Sequence, residues 1–209
     1  MRRTTVLVVG VVVTGLAGCA VEQAATAEPT ASASASPTPS PTPSPTPSPT
    51  PAEVTASDLS DPDGAGIVFV DIPDLRGPAA AAHDAVARTE VETWRSQKEG
   101  AISPGLASTV SPSQLTWVES LVQRDREAGW GYEGALRVTI SDVVVDGATA
   151  TASVCEDYAD VRFTMPDAAA PLTLEQAEYA QFVGSAMTLA SPDGGATWRV
   201  EEAEFTVGC

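Results

Sequence analysis

Apolar residues are distributed in three ways along the chain: a solid run near the start, almost no large ones from there to residue 66, and two alternating periods from residue 67 onwards. Ile67-Val68-Phe69-Val70 is a short apolar run between Gly66 and Pro73, which predicts an edge strand or an extended lead-in. Pro78 fits the first turn of a helix that runs to about Lys98 and is stopped by Gly100. A second helix opens with Ser111 as cap, Pro112 at the first helical position and Gln114 three residues after the cap, a capping-box pattern. Leu115, Val118, Leu121 and Val122 form its apolar stripe, and Gly129 ends it.

From there the period changes to two. Leu136, Val138 and Ile140 alternate with polar residues, then Val143 and Val145 continue on the opposite phase, so a bulge or bend is expected near Ser141-Asp142. Asp146-Gly147 is a hairpin turn, and Ala150, Ala152 and Val154 return on the partner strand. After a less regular stretch with Pro166 and Pro171, a second hairpin joins Tyr179–Leu189 to Thr197–Cys209 around Asp193-Gly194-Gly195. Its last strand also changes phase, from Trp198 and Val200 to Ala203, Phe205, Val207 and Cys209. Long strands with internal phase shifts belong to a curved sheet. Helices first and a curved antiparallel sheet of four or more strands afterwards predict one α+β domain, cone-like, over residues 67–209.

The segment ahead of that domain has a different character. Residues 19–66 carry no basic side chain, and Ser36 to Pro51 is four copies of Ser-Pro-Thr-Pro. Proline at alternate positions removes backbone donors and pushes its neighbours into extended geometry, so residues 19–66 are expected to be a disordered tether whose sixteen-residue Ser-Pro-Thr-Pro centre spans about 50 Å as polyproline II. At the start, Arg2 and Arg3 precede an uncharged run from Thr4 to Ala17. That run is too short to span about 30 Å of hydrocarbon, and residues 1–18 therefore read as an export signal.

Leu16-Ala17-Gly18-Cys19 resembles the lipobox of bacterial lipoproteins. The resemblance implies cleavage after Gly18 and lipidation of Cys19, with two or three acyl chains holding the protein on the extracytoplasmic face of the cell membrane. Acidic residues outnumber basic ones, 28 to 11, for a net charge of −17; loss of residues 1–18 removes two arginines and brings the mature chain to −19. Such a balance excludes nucleic-acid binding driven by phosphate neutralisation and attachment to anionic lipid by a basic patch. Of three cysteines, the lipid takes Cys19, and outside the cytoplasm Cys155 and Cys209 are expected to pair as a disulfide.

Catalytic groups are sparse. His83 is the single histidine, so histidine-based triads and zinc sites are poorly supplied, and no catalytic residue, metal or cofactor is assigned. On a helical wheel His83, Ala87, Glu90 and Trp94 share one face, which makes His83, Glu90 and Trp94 a candidate pocket wall. The cluster Glu156-Asp157-Tyr158-Ala159-Asp160 and the set Asp58, Asp61 and Asp63 read as solvated acidic surface; a calcium loop with a closing glutamate is missing from the latter. Ser191-Pro192-Asp193-Gly194-Gly195-Ala196-Thr197-Trp198 matches the Asp-box of sialidase propellers, but a single copy specifies a hairpin turn rather than a glycosidase.

The order of elements over roughly Asp74 to Cys209, with the Ala-rich helix ending near Trp94, the capped second helix and the terminal Trp198-Arg199-Val200 strand, resembles the nuclear-transport-factor-2-like superfamily, the cone fold of ketosteroid isomerase and polyketide cyclases. It is also similar to actinobacterial lipoproteins that join a lipobox, a Pro/Ser/Thr tether and such a domain. A cystatin-like or other helix-on-sheet fold is the competing architecture. Three functions follow as expectations: a displayed domain that binds a small ligand or an envelope protein, without evident catalysis; an isomerase or hydrolase of the cone superfamily; or a structural envelope protein. An open cavity with convergent polar groups favours the first two. A cone filled by Trp94, Trp117 and Phe182 favours the third.

Overall fold

The computed structural model describes residues 56–209. The export signal, Cys19 and the Ser-Pro-Thr-Pro copies lie outside the described residues. The elements run α1 (Ala56–Leu59), β1 (Ile67–Val70), α2 (Pro78–Glu99), α3 (Leu106–Thr109), α4 (Pro112–Ala128), β2 (Gly131–Gly134), β3 (Leu136–Asp146), β4 (Thr149–Asp157), β5 (Val161–Thr164), β6 (Phe182–Ala190) and β7 (Arg199–Val207). Five strands form one sheet in the order β1-β3-β4-β6-β7, and β2 pairs with β5 in a separate antiparallel ribbon. The architecture is α+β, with helices first and a mostly antiparallel sheet after them.

Two features depart from the pattern-based expectation. The sheet is mixed, because β1 lies parallel to β3 on the outer edge. A parallel neighbour needs a long crossover, and here that crossover contains all the longer helices. Among the described residues, packing also reaches back beyond Ile67 to Ala56, which is fully buried. The Asp61 carboxylate closes the following loop by accepting from the backbone N–H groups of Gly64 and Ala65, at 2.9 and 3.0 Å. Residues 56–66 have the small, acidic composition of the tether, so composition alone hides their contact with the domain.

Local signals elsewhere translate directly. Ser111 Oγ accepts from Gln114 N at the start of α4, and Pro78 opens α2. The register of β3 against β4 slips between Ser141 and Val144, where Asp142 has a φ of 52°. A second slip lies between Thr188 and Leu189 of β6, which face Glu202 and Val200 of β7 and leave Glu201 as the extra residue. Each slip falls where the apolar phase changes in the sequence. In the last hairpin, Asp193 accepts from the backbone of Ala196 and Thr197 and from the hydroxyls of Ser191 and Thr197, while Trp198 is buried beneath. The Asp-box pattern is thus a turn-building device here.

The inner face of the sheet carries Leu136, Val138 and Ile140 from β3, Ala150, Ala152 and Val154 from β4, Met187 and Leu189 from β6, and Val200 from β7, all buried. Against it α2 sets Ala82, Ala85, Val86 and Trp94. Alanines on both surfaces let helix and sheet approach closely. The outer face carries the Cys155–Cys209 disulfide, which joins β4 to the residue two beyond β7 with a Cα–Cα distance of 5.8 Å. Gly184 of β6 lies opposite Cys155, and a Cβ there would stand 3.5 Å from the Cys209 Cβ and 2.7 Å from Thr206 Oγ1. The missing side chain lets the bridge pass over β6.

Candidate functional site

A cavity of about 210 Å³ lies between α2, α4 and the inner face of the sheet. Helical spacing supplies two of its walls. Thr89, Glu90, Thr93 and Gln97 come from α2, and Gln114, Trp117, Val118, Leu121 and Arg124 come from α4. The sheet side adds Glu156 of β4 and Tyr158 just after it, Val183 and Met187 of β6, and Phe205 of β7, with Tyr179 from the loop ahead of β6. The α4 stripe divides: Val122 is buried in the core away from the cavity, whereas buried Val118 and half-buried Leu121 both border it.

The floor is polar and unusual. Across the sheet, Glu156 lies in register with Val138 of β3 on one side and Val183 of β6 on the other, so a carboxyl group interrupts an inward-facing apolar row. The Glu90 side chain, only 5 % exposed as a residue, meets it from α2 and shares a hydrogen bond with it. Burial is the first cause raising the Glu90 carboxyl well above its ordinary value of 4.5, and the neighbouring Glu156 charge raises it further. Glu156 is raised too, first by burial, while hydrogen bonds from Glu90 and Tyr158 pull the other way. Both carboxyls are thus held towards their protonated forms, and a proton shared between them relieves their mutual repulsion. Tyr158 donates to Glu156 Oε2 at 3.1 Å, and the ring of Tyr179 packs on that of Tyr158 with centroids 4.9 Å apart, bringing a second phenol to the floor.

Aromatic rings hold this floor in place. Tyr158 packs on Trp94 and on Tyr179, and Phe163 of the small ribbon packs on Tyr179 and Tyr132. At the rim, Trp117 and Phe205 stack with centroids 4.7 Å apart, and both stay substantially exposed, 39 and 46 %. Arg124 is the cation of the lining, and its side chain is 68 % exposed and bound to Asp125 through Nε and Nη2, at 2.9 and 2.6 Å.

Only one residue of the wheel-derived set lines the cavity. Glu90 does; His83 and Trp94 share its helix face but are packed in the core, 4 and 1 % exposed. His83 sits nearly two turns earlier, with Nδ1 3.5 Å from Asp84 Oδ1, and the Trp94 indole N–H donates to Gly66 O at 2.8 Å. Phe182 is 42 % exposed and does not line the cavity, so the aromatic residues do not fill the space. The acidic cluster of β4 is likewise not uniformly solvated, since Glu156 and Tyr158 turn inward. The signal was the alternation itself: extending Ala150, Ala152 and Val154 by two and by four reaches those residues. Among the described residues no group of three acidic, histidine or cysteine side chains is placed to hold a metal.

No family profile matches the chain, and no curated protein matches it. Among solved structures it is similar to the intermembrane space region of the chloroplast protein ARC6, at 13 % identity and a TM-score of 0.40, over 65 % of this chain and the whole of that one. The site must therefore be read from its own chemistry.

A buried carboxyl pair is costly to the fold, and that cost has a pH signature. A carboxyl raised in the folded state holds its proton there after the unfolded chain has lost it, so stability falls as pH rises from about 4.5 through the folded-state value. Glu90→Gln keeps the shape and removes the titration. It is expected to raise the unfolding midpoint at pH 7, with the gain shrinking towards zero at pH 4. Thermal melts across that range check it; a gain equal at both ends would show that Glu90 is not held protonated.

Proposed function

We propose that this protein is an exported lipoprotein, anchored through Cys19, whose α+β domain binds a small ligand in the cavity between its helices and sheet. The observation that carries the binding reading is the cavity itself: apolar walls, an aromatic rim and a hydrogen-bonded pair of acids on the floor, a layout typical of small-molecule sites. The Leu16-Ala17-Gly18-Cys19 motif supports the anchor, and the Cys155–Cys209 bond is in keeping with an oxidising compartment. Helices laid over a curved sheet around a cavity also support kinship with the nuclear-transport-factor-2-like cone fold. The Ser-Pro-Thr-Pro repeats then serve as a spacer that holds the domain away from the membrane.

Native mass spectrometry of the protein purified from its own envelope tests the binding reading. A retained small molecule that is lost on Val183→Trp, which fills the cavity, is the expected result. A protein that carries nothing from any preparation would count against it. Radioactive fatty acid should label the natural chain and not Cys19→Ser, and equal labelling would remove the anchor.

A second reading draws on the floor alone. A carboxylate beside a carboxylic acid and tyrosine hydroxyls is equipment for moving a proton, as an isomerase or hydrolase requires. The two readings part on the fate of the molecule. Recovery of the same compound unchanged after prolonged incubation supports binding, and its conversion supports catalysis.

A further inference from the structure

We propose that the cavity is selective for a small protonated amine, a compact apolar or aromatic body whose ammonium group is received between Glu90 and Glu156. This deepens the binding reading and rests on it. Charge comes first. From α2 the cavity meets Glu90; from β4, Glu156, with Tyr158 just beyond its end; from the loop before β6, Tyr179; and from α4, Arg124. Arg124 is exposed and already bound to Asp125. The floor groups are all acids or phenols, so an anionic ligand would meet repulsion at the deepest point and a neutral one would bring no countercharge to the acid pair. An ammonium ion compensates it.

Hydrogen bonding points the same way. Burial raises both carboxyls, and the neighbouring Glu156 charge raises Glu90 further, so the pair favours holding a proton. An ammonium group brings both a positive charge and three donors, enough to serve Glu90 and Glu156 together. A proton shared by the two acids is then no longer needed: the incoming ammonium keeps its own protons, the carboxyl O–H bond breaks, and that proton leaves to solvent. One proton is released for each ammonium bound. The rings of Tyr158, Tyr179 and Trp117 present further favourable surface to a cation.

Size limits the body of the ligand. A cavity of about 150 Å³ accommodates benzene, so the 210 Å³ here takes one ring with a short arm, or an aliphatic chain of similar bulk. Val118, Leu121, Val183 and Met187 supply the apolar walls for that body.

Isothermal titration calorimetry on the detergent-solubilised full chain tests the idea with three probes of one shape: 2-phenylethylamine, 2-phenylethanol and 3-phenylpropanoate. The amine is expected to bind roughly tenfold or more tightly than the alcohol, and the carboxylate not to bind. Repeating the amine titration at pH 6 in buffers of different ionisation enthalpy should report proton release. Glu90→Gln and Glu156→Gln, with circular dichroism showing an intact fold, should each erase most of the preference for the amine, and Glu90→Gln should also erase the proton release. If alcohol and amine bind equally, the amine inference falls while the binding reading stands. If none of the three binds, both fall.

Discussion

Removing the Cys155–Cys209 bond, by reduction or by the Cys155→Ser, Cys209→Ser double change, is expected to lower stability by about 4 kcal/mol. The sequence separation of 54 residues sets this figure through the entropy of closing a loop of that length. For a domain of this size each kcal/mol moves the midpoint by about 2–4 °C, so thermal melts with and without reductant should differ by roughly 8–16 °C. Topology explains why the loss should spread. β7 is the last strand of the sheet: β6 pairs with it along its length, Val110 and Ser111 hold its start at Val200 and Glu201, and its distal end is exposed at Phe205 and Val207. The bond ties that end across β6 to β4, next to the strand position that carries Glu156. Loss of the bond should therefore also loosen Phe205 at the cavity rim. A midpoint unchanged by reductant, with faster amide exchange confined to β7, would show that the bond only prevents fraying.

How far the sequence revealed the site depended on which physical signal each residue carried. Alternation and helix caps are local, and they located the bulge at Asp142, the extra residue near Val200 and the capped start of α4. Helix periodicity likewise put His83, Glu90 and Trp94 on one face. It could not say how far along that face the sheet stays in contact, and that contact decides which of the three is core and which borders open space. Tertiary packing supplies the answer: Trp94 fills the gap under Gly66, and Glu90 lies where the sheet's inner row is broken by Glu156. Glu156 was masked by its neighbours. Asp157 and Asp160 give the segment a solvated composition, while its parity with Val154 places it inward. The parallel pairing of β1 had no local signal at all, because four residues of Ile67–Val70 are compatible with either direction until the long crossover has folded.

Trp94→Ala is expected to be the most damaging single change in the domain, costing about 3–5 kcal/mol. The indole is almost wholly buried, with its ring tilted against Tyr132 at 5.3 Å and edge-on to Tyr158 at 6.2 Å. Truncation leaves a void the size of two fused rings, and rigid neighbours on both sides resist collapse into it. Two contributions can be separated. Gly66 O accepts from the Trp94 N–H at 2.8 Å and also from Leu136 N at 2.9 Å, so losing the indole donor does not leave that carbonyl without a partner. Trp94→Phe should therefore cost roughly 1–2 kcal/mol, the hydrogen bond plus a small void, and most of the alanine effect should be packing. Denaturant unfolding of the two variants decides this: equal losses would assign the role to the hydrogen bond instead. Because Tyr158 rests on Trp94 and donates to Glu156, the alanine variant should also disturb the acid pair. Its amine affinity should fall further than that of Trp94→Phe when both are titrated well below their unfolding midpoints.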